Sequence, residues 1–276
     1  MKEFFSKNYQ VDCEKPVHLG HGVWWVGFQD EESGLHCNPY LIIDGDEAVV
    51  IDGGSRPDFP VVMMKILETG LNPGNIKALI YDHYDPDLCG SIPNFEEMIG
   101  RSDLQLIASG CCHMFIRHYG ATSQLTKVSD LGYRFVFKSG RTLEFTPVPY
   151  CHSPGSFTTF DSKSKILFSG DIFGTYDKHW QLFLAFSEGC RGEIPCEICK
   201  TNNQSCRLPG FSEFHRQIMS SSKALHQALL KLKELPFEMV APQHGSVLDK
   251  RSAHILINSL LQLNDIGIDH ISPEPK

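Results

Sequence analysis

Four apolar runs in this chain lead into a histidine or an aspartate, and this limits what the chain can fold into more than any other feature. The run IKALI passes into YDHYDPDLCGS, residues 81–91, which sets His83, Asp85 and Asp87 at alternate positions. TPVPYC leads to His152, ILFSG to Asp171 and MVAPQ to His244. Each polar residue thus falls in the loop at the carboxyl end of a predicted buried strand, and loops held by a rigid sheet are where sites are built. A lone aspartate after a strand is usually a turn former or a helix cap, which is the reading for Asp82. His18, His113, His118, His179, His226, His254 and His270 read as ordinary surface or core histidines. Capping does not explain His-x-Asp-x-Asp in one loop.

The rest of the chain supports an α/β reading. Residues 22–28, GVWWVGF, read as a strand. YLIID-GD-EAVVIDGGS, 40–55, reads as a hairpin with a two-residue Gly-Asp turn. A helix is expected near 59–69, a strand over 76–82, and helices near 92–100 and 111–118 around the strand LQLIAS. YRFVF, LEFTPVP, GSFTTFD and KILFSGD read as strands, 212–234 as helical, EMVAPQHG as a last strand and 250–263 as a last helix. The two halves share this outline, which points to an αββα sandwich: two sheets face to face with helices outside. The expectation is one domain over 1–276, with an irregular, cysteine-containing insert around 186–211 lying outside the core.

Composition narrows the function. A net charge of -8 argues against nucleic-acid binding, which needs a basic face, and against anionic membrane surfaces. No run approaches the ~18 apolar residues of a membrane span, and the start lacks the apolar core of a signal peptide. These features predict a cytoplasmic protein, in which the ten cysteines are thiols or metal ligands rather than disulfides. Six of them, including the neighbours Cys111 and Cys112, read as small apolar filler. The other four, Cys190, Cys196, Cys199 and Cys206, cluster in the insert. They could bind a structural zinc, less readily an iron–sulfur cluster, or remain free or redox-paired thiols.

Three imidazoles and three carboxylates at strand ends form a mixed nitrogen and oxygen set suited to first-row divalent metals, iron and manganese included. They exceed the needs of one tetrahedral zinc, and two metals sharing one carboxylate fit the count better.

The four motifs resemble the metallo-β-lactamase fold, and within it the diiron domain of the flavodiiron proteins. HYDPDLCGS stands for that family's His-x-Glu-x-Asp-His, small residue, Gly-Ser; CHSPGSF, FSGDIFG and APQHG follow in the family's order. The resemblance spans roughly residues 20–250. It implies that His83, Asp85 and His152 hold one iron and Asp87 and His244 the other. Asp171 would bridge the pair together with an oxo, hydroxo or peroxo group. Asp52 resembles the acid that supports the metal loop; the resemblance implies that His215 or Phe214 takes the place of a family tyrosine near the irons, the alternative for His215 being a histidine on a helix surface. Tyr84 and Tyr40 are further candidates to flank the site.

Two departures stand out. Asp85 replaces a glutamate and is one methylene shorter. Leu88 replaces a histidine ligand, leaving the second iron one nitrogen short beside a hydrocarbon side chain. The hydrolase branch of the fold has His-x-His-x-Asp-His, so the acid at Asp85 disfavours zinc-hydroxide chemistry. Flavodiiron proteins draw electrons from FMN in a following flavodoxin domain and assemble as head-to-tail dimers. This chain has no room after the last motif for such a domain, so no FMN is expected in it, while a homodimer is. The resemblance is to stand-alone oxygen-binding diiron proteins, which implies an oxygen or iron sensor, with chemotaxis or other signalling proteins as partners. The alternatives are an oxygen or nitric oxide reductase fed by a separate redox protein, and a zinc-dependent hydrolase.

Overall fold

A computed structural model describes residues 4–5, 11–29, 35–177, 180–193 and 206–271. The first sheet holds seven strands in chain order. They are β1 (Val17–Gly20), β2 (Val23–Trp25), β3 (Tyr40–Asp44), β4 (Glu47–Ile51), β5 (Ile76–Ile80), β6 (Gln105–Ala108) and β7 (Gln124–Lys127). β1 to β4 run antiparallel, and β4 to β7 are parallel. The second sheet contains β8 (Arg134–Val136), β9 (Thr142–Pro147), β10 (Phe157–Asp161), β11 (Ile166–Phe168), β12 (Phe183–Leu184), β13 (Met239–Ala241) and β14 (Val247–Asp249). Its order is β12-β14-β13-β11-β10-β9-β8.

Period-two alternation explains the layering. In β3 Tyr40 and Ile42 face the second sheet while Leu41 faces outward; Val49 and Ile51 alternate with Val50 in the same way in β4. The inward residues meet Phe145, Phe157, Phe168 and Met239 from the second sheet in one central cluster. The outer face of the first sheet packs α1 (Phe59–Glu68), α2 (Pro86–Cys89), α3 (Ile92–Ile99) and α4 (His113–Ile116). That of the second packs α5 (Leu208–Ile218), α6 (Ser222–Lys233) and α7 (Lys250–Leu260). This is the expected αββα sandwich. Among the described residues no helix is long and apolar enough to cross a membrane.

Three expectations need correction. The helical stretch 212–234 is two helices, because Met219 turns extended (ψ 146) and Ser221 caps α6 by accepting a hydrogen bond from the Ala224 amide at 3.2 Å. Strands β1, β7, β12 and β14 were not expected; they have two to four residues each, too few to show a period. The insert is shorter than 186–211, since α5 begins at Leu208, and Leu208 and Phe211 are buried in the core. Its start is also anchored. Arg251 donates to the carbonyls of Phe186, Ser187 and Glu188 at 2.7–2.9 Å.

The sheets are clamped at the end of β10. Arg141 pairs with Asp161 through Nε at 2.9 Å and through Nη2. The same guanidinium donates to the carbonyl of His21 at 2.8 Å, beside the first sheet.

Candidate metal centre

The strand ends converge as the motifs require. His83 follows β5, and its loop is set by the residue before it. The Asp82 amide donates to Asp52 Oδ1 at 3.1 Å, and the Asp82 carbonyl accepts from Phe157 at the head of β10 at 3.1 Å. Asp52 thus holds the start of the His83 loop. Asp82 lies in a bend but does more than turn the chain: its carboxyl is buried, and Thr159 Oγ1 donates to its Oδ1 at 3.2 Å. Burial raises the carboxyls of Asp52 and Asp82 well above the usual range, and each is raised further by negative charge nearby, including that of Asp171. Downstream, Gly90 closes the loop because a Cβ there would lie 2.6 Å from the Pro86 carbonyl oxygen and 3.0 Å from the Arg56 amide nitrogen.

The six predicted residues come together around Asp171. His152 Nε2 lies 3.1 Å from Asp85 Oδ2 and 3.2 Å from Asp171 Oδ2. His83 Nε2 lies 3.8 Å from both Asp85 Oδ2 and Asp171 Oδ1. His244 Nε2 lies 3.2 Å from Asp87 Oδ2 and 3.7 Å from Asp171 Oδ1. Asp171 is thus a buried carboxylate with Oδ2 toward His152 and Oδ1 between His83 and His244. Its Oδ1 has no hydrogen-bond partner.

These contacts fit cations. Two ligands each about 2.1 Å from one ion, at 90–110°, stand about 3.0–3.4 Å apart. An orphaned carboxylate oxygen in a buried site is costly unless a cation meets it. The tautomer fits as well. His244 Nδ1 donates to the His36 carbonyl at 3.1 Å, which leaves the Nε2 lone pair facing Asp87 and Asp171. Two groups of donor atoms result: His83, His152 and Asp171 in one, Cys37, Asp87 and His244 in the other.

Without an ion, charge pairing holds the same geometry. Burial alone would raise the Asp85 and Asp87 carboxyls, but the imidazoles of His152 and His244 outweigh it and bring both below the usual carboxylate range. Burial alone would likewise lower His152 and His244, yet Asp85, Asp87 and Asp171 hold them above an ordinary histidine. Loading a metal must therefore expel protons from these imidazoles.

The flanking candidates divide. Tyr40 donates to the Pro242 carbonyl at 2.9 Å and so braces the His244 loop. Tyr84 stacks on Phe115, ring centres 4.3 Å apart, and its carbonyl accepts from Tyr119 at 2.8 Å. Leu88 is fully buried in the apolar cluster outside the first sheet. Of the two residues at the tyrosine position, Phe214 reaches the centre, its ring 5.9 Å from that of His244. His215 instead donates from Nδ1 to the Phe211 carbonyl at 2.7 Å and accepts from the Phe173 amide at 3.1 Å. Tyr176, missed in the sequence, packs on Phe214 at 5.1 Å. In the insert, Cys190 and Cys206 pack beside the second sheet's helices, while Cys196 and Cys199 lie outside the described residues.

His215 carries a pH prediction. Full burial pushes its imidazole down to about 4. A histidine kept neutral by the fold stabilises fully above the unfolded value near 6.5 and loses that stability as pH falls toward 4. At roughly 1.4 kcal/mol per unit this amounts to about 3 kcal/mol. Urea midpoints at pH 7 and 4.5 should therefore differ less in a His215→Gln protein than in the native chain. Equal differences would sink the assignment.

A family model described as "ODP family beta lactamase" matches residues 35–245. The chain is 26% identical over 227 residues to the putative diflavin flavoprotein A 2 of Synechocystis sp., a match covering 81% of this chain and 35% of that one. The chain thus spans about a third of the length of the diflavin flavoproteins it matches first. Among solved structures it resembles the peroxy diiron species of the chemotaxis sensor ODP, with a TM-score of 0.70 and 23% identity over 92% of this chain and 97% of that one. It also resembles the flavodiiron protein from Giardia intestinalis, with a TM-score of 0.69, 22% identity, and coverage of 92% and 59%.

Proposed function

The chain belongs to the ODP family of metallo-β-lactamase-fold domains, and from that premise we propose that it holds two iron ions and binds dioxygen as a sensor. One observation carries the two-metal reading: the buried Asp171 carboxylate turns its two oxygens toward two different histidines, with donor groups on both sides. His83, Asp85 and His152 would hold one ion and Asp87 and His244 the other. A ferrous pair supplies the electrons with which dioxygen can be bound. The protein residues would fix the ions, His152 and His244 giving up protons as they bind, with the Phe214 ring packed beside His244. Leu88 supports the sensor reading over turnover, because it would leave the second ion one nitrogen short of the flavodiiron pattern, with an open position.

Anaerobic loading with ferrous iron followed by oxygen tests this. A long-lived, oxygen-dependent visible absorption supports the sensor. Rapid bleaching with continued oxygen consumption would instead support the second reading, a reductase of oxygen or nitric oxide fed by a separate rubredoxin or flavoprotein. That reading draws on the diflavin flavoproteins among the relatives. Zinc with hydrolytic activity in protein purified without added metal would overturn both. A homodimer and a signalling partner, such as a chemotaxis protein, belong to the same proposal.

Leu88→His should tighten the second ion and shorten the oxygen-dependent absorption by at least about tenfold, the scale on which residues around a metal act. Burying an imidazole in an apolar cluster should also cost about 1–3 kcal/mol in the metal-free protein. An unchanged lifetime in a folded variant would remove the argument from the absent ligand.

A further inference from the structure

Cys37 was read from the sequence as apolar filler, and its surroundings contradict that. It is 7% exposed, yet it joins none of the apolar clusters that hold the buried Cys89, Cys112 and Cys151. Its Sγ faces polar atoms instead, 3.9 Å from Asp87 Oδ2 and 3.9 Å from His244 Nδ1. The position is firmly held. Cys37 forms an isolated antiparallel bridge with His244, and the Asn38 amide donates to the Gln243 carbonyl at 2.9 Å. The Asn38 side chain donates to the carbonyls of Pro242 and Gly245 at 3.0 and 2.8 Å. Its oxygen accepts from the Trp25 indole at 2.8 Å. A bracket of this kind fixes the thiol relative to the imidazole.

We propose that Cys37 is a thiolate ligand of the second metal ion, completing a Cys37, Asp87, His244 and Asp171 set where Leu88 supplies no nitrogen. The inference rests on the two-metal reading of the same site. The geometry permits it: a sulfur about 2.3 Å and a carboxylate oxygen about 2.1 Å from one ion, at about 120°, lie about 3.8 Å apart. Binding breaks the S–H bond, forms the sulfur–metal bond and releases the proton to solvent; no oxidant or reductant is needed. A thiolate also favours a softer ion than an all-nitrogen-and-oxygen site would.

Cobalt(II) tests it, because thiolate-to-cobalt charge transfer absorbs strongly in the near ultraviolet whereas imidazole and carboxylate ligands do not. The full chain and its Cys37→Ser and Cys37→Ala variants are loaded anaerobically, and bound cobalt is counted. The native-minus-variant difference cancels thiolates elsewhere, including those of the insert. The expected result is a charge-transfer band in that difference for both variants, with at least a tenfold weaker second cobalt. Two cobalt ions bound with a flat difference spectrum would overturn the thiolate while leaving the two-metal reading intact. If the native chain binds no second cobalt that depends on Asp171 and His244, the two-metal reading fails and the thiolate ligand fails with it.

Discussion

An Asp171→Asn protein should fold, lose its second metal ion and bind the first far more weakly. Asp171 is the group that faces both halves of the centre, with Oδ2 at 3.2 Å from His152 and Oδ1 at 3.7 Å from His244. An amide of the same shape keeps the packing but removes the charge and half the acceptor capacity. Losing a residue that merely orients a metal ligand costs 10–100-fold in affinity, so losing a shared ligand should cost at least about 100-fold. Metal-free stability should change little. The Asp171 charge raises the buried carboxyls of Asp52 and Asp82 but also compensates the imidazoles of His152 and His244, so its removal has opposing effects in the empty site. Metal content by atomic emission and thermal midpoints of the metal-free proteins measure both arms. Two ions retained at native affinity would show that Asp171 is not shared.

The largest loss of stability should come far from the metals, at Arg141. Asp161 is 0% exposed and takes both Nε and Nη2 of Arg141, with further hydrogen bonds from the Lys163 and Ser164 amides at 3.1 and 3.2 Å. Arg141→Met leaves that carboxylate buried without its counter-charge, which costs about 3–5 kcal/mol. Pairing it with Asp161→Leu should recover much of the loss, because an apolar pair of similar volume avoids the desolvation cost. Denaturant midpoints of the two single variants and the double variant decide the matter. A double variant as unstable as the sum of the singles would show that the guanidinium matters for its contacts with the His21 carbonyl and Asp44 rather than for the Asp161 pair.

What could be read in the sequence followed from how many residues cooperated. The loops that converge on the candidate centre were legible because His83, Asp85 and Asp87 alternate after a five-residue apolar run, and because three other runs end alike. The hairpin at Gly45-Asp46 was legible because a two-residue turn separates two five-residue, largely apolar strands. Asp82 was only partly legible because local pattern cannot tell a carboxylate that merely turns the chain from one buried by a strand 77 residues away. Cys37 was misread for the same reason: its partners, Asp87 and His244, stand 50 and 207 residues from it. The break at Met219 was hidden because apolar spacing continues across it from α5 into α6 while only the backbone turns.

That 207-residue reach has a consequence for how the protein comes into being. A ribosome releases Cys37 and Asn38 long before it releases His244, and Asp171 emerges between them. The half of the centre around Asp87 therefore cannot exist on a nascent chain until residues past Gly245 have left the exit tunnel, whereas His83, His152 and Asp171 can meet earlier. At a synthesis rate of about 5–20 residues per second, the gap between those events is several seconds. Metal ions at the proposed centre should then enter in sequence, the first beside His83, His152 and Asp171 and the second only once His244 has emerged.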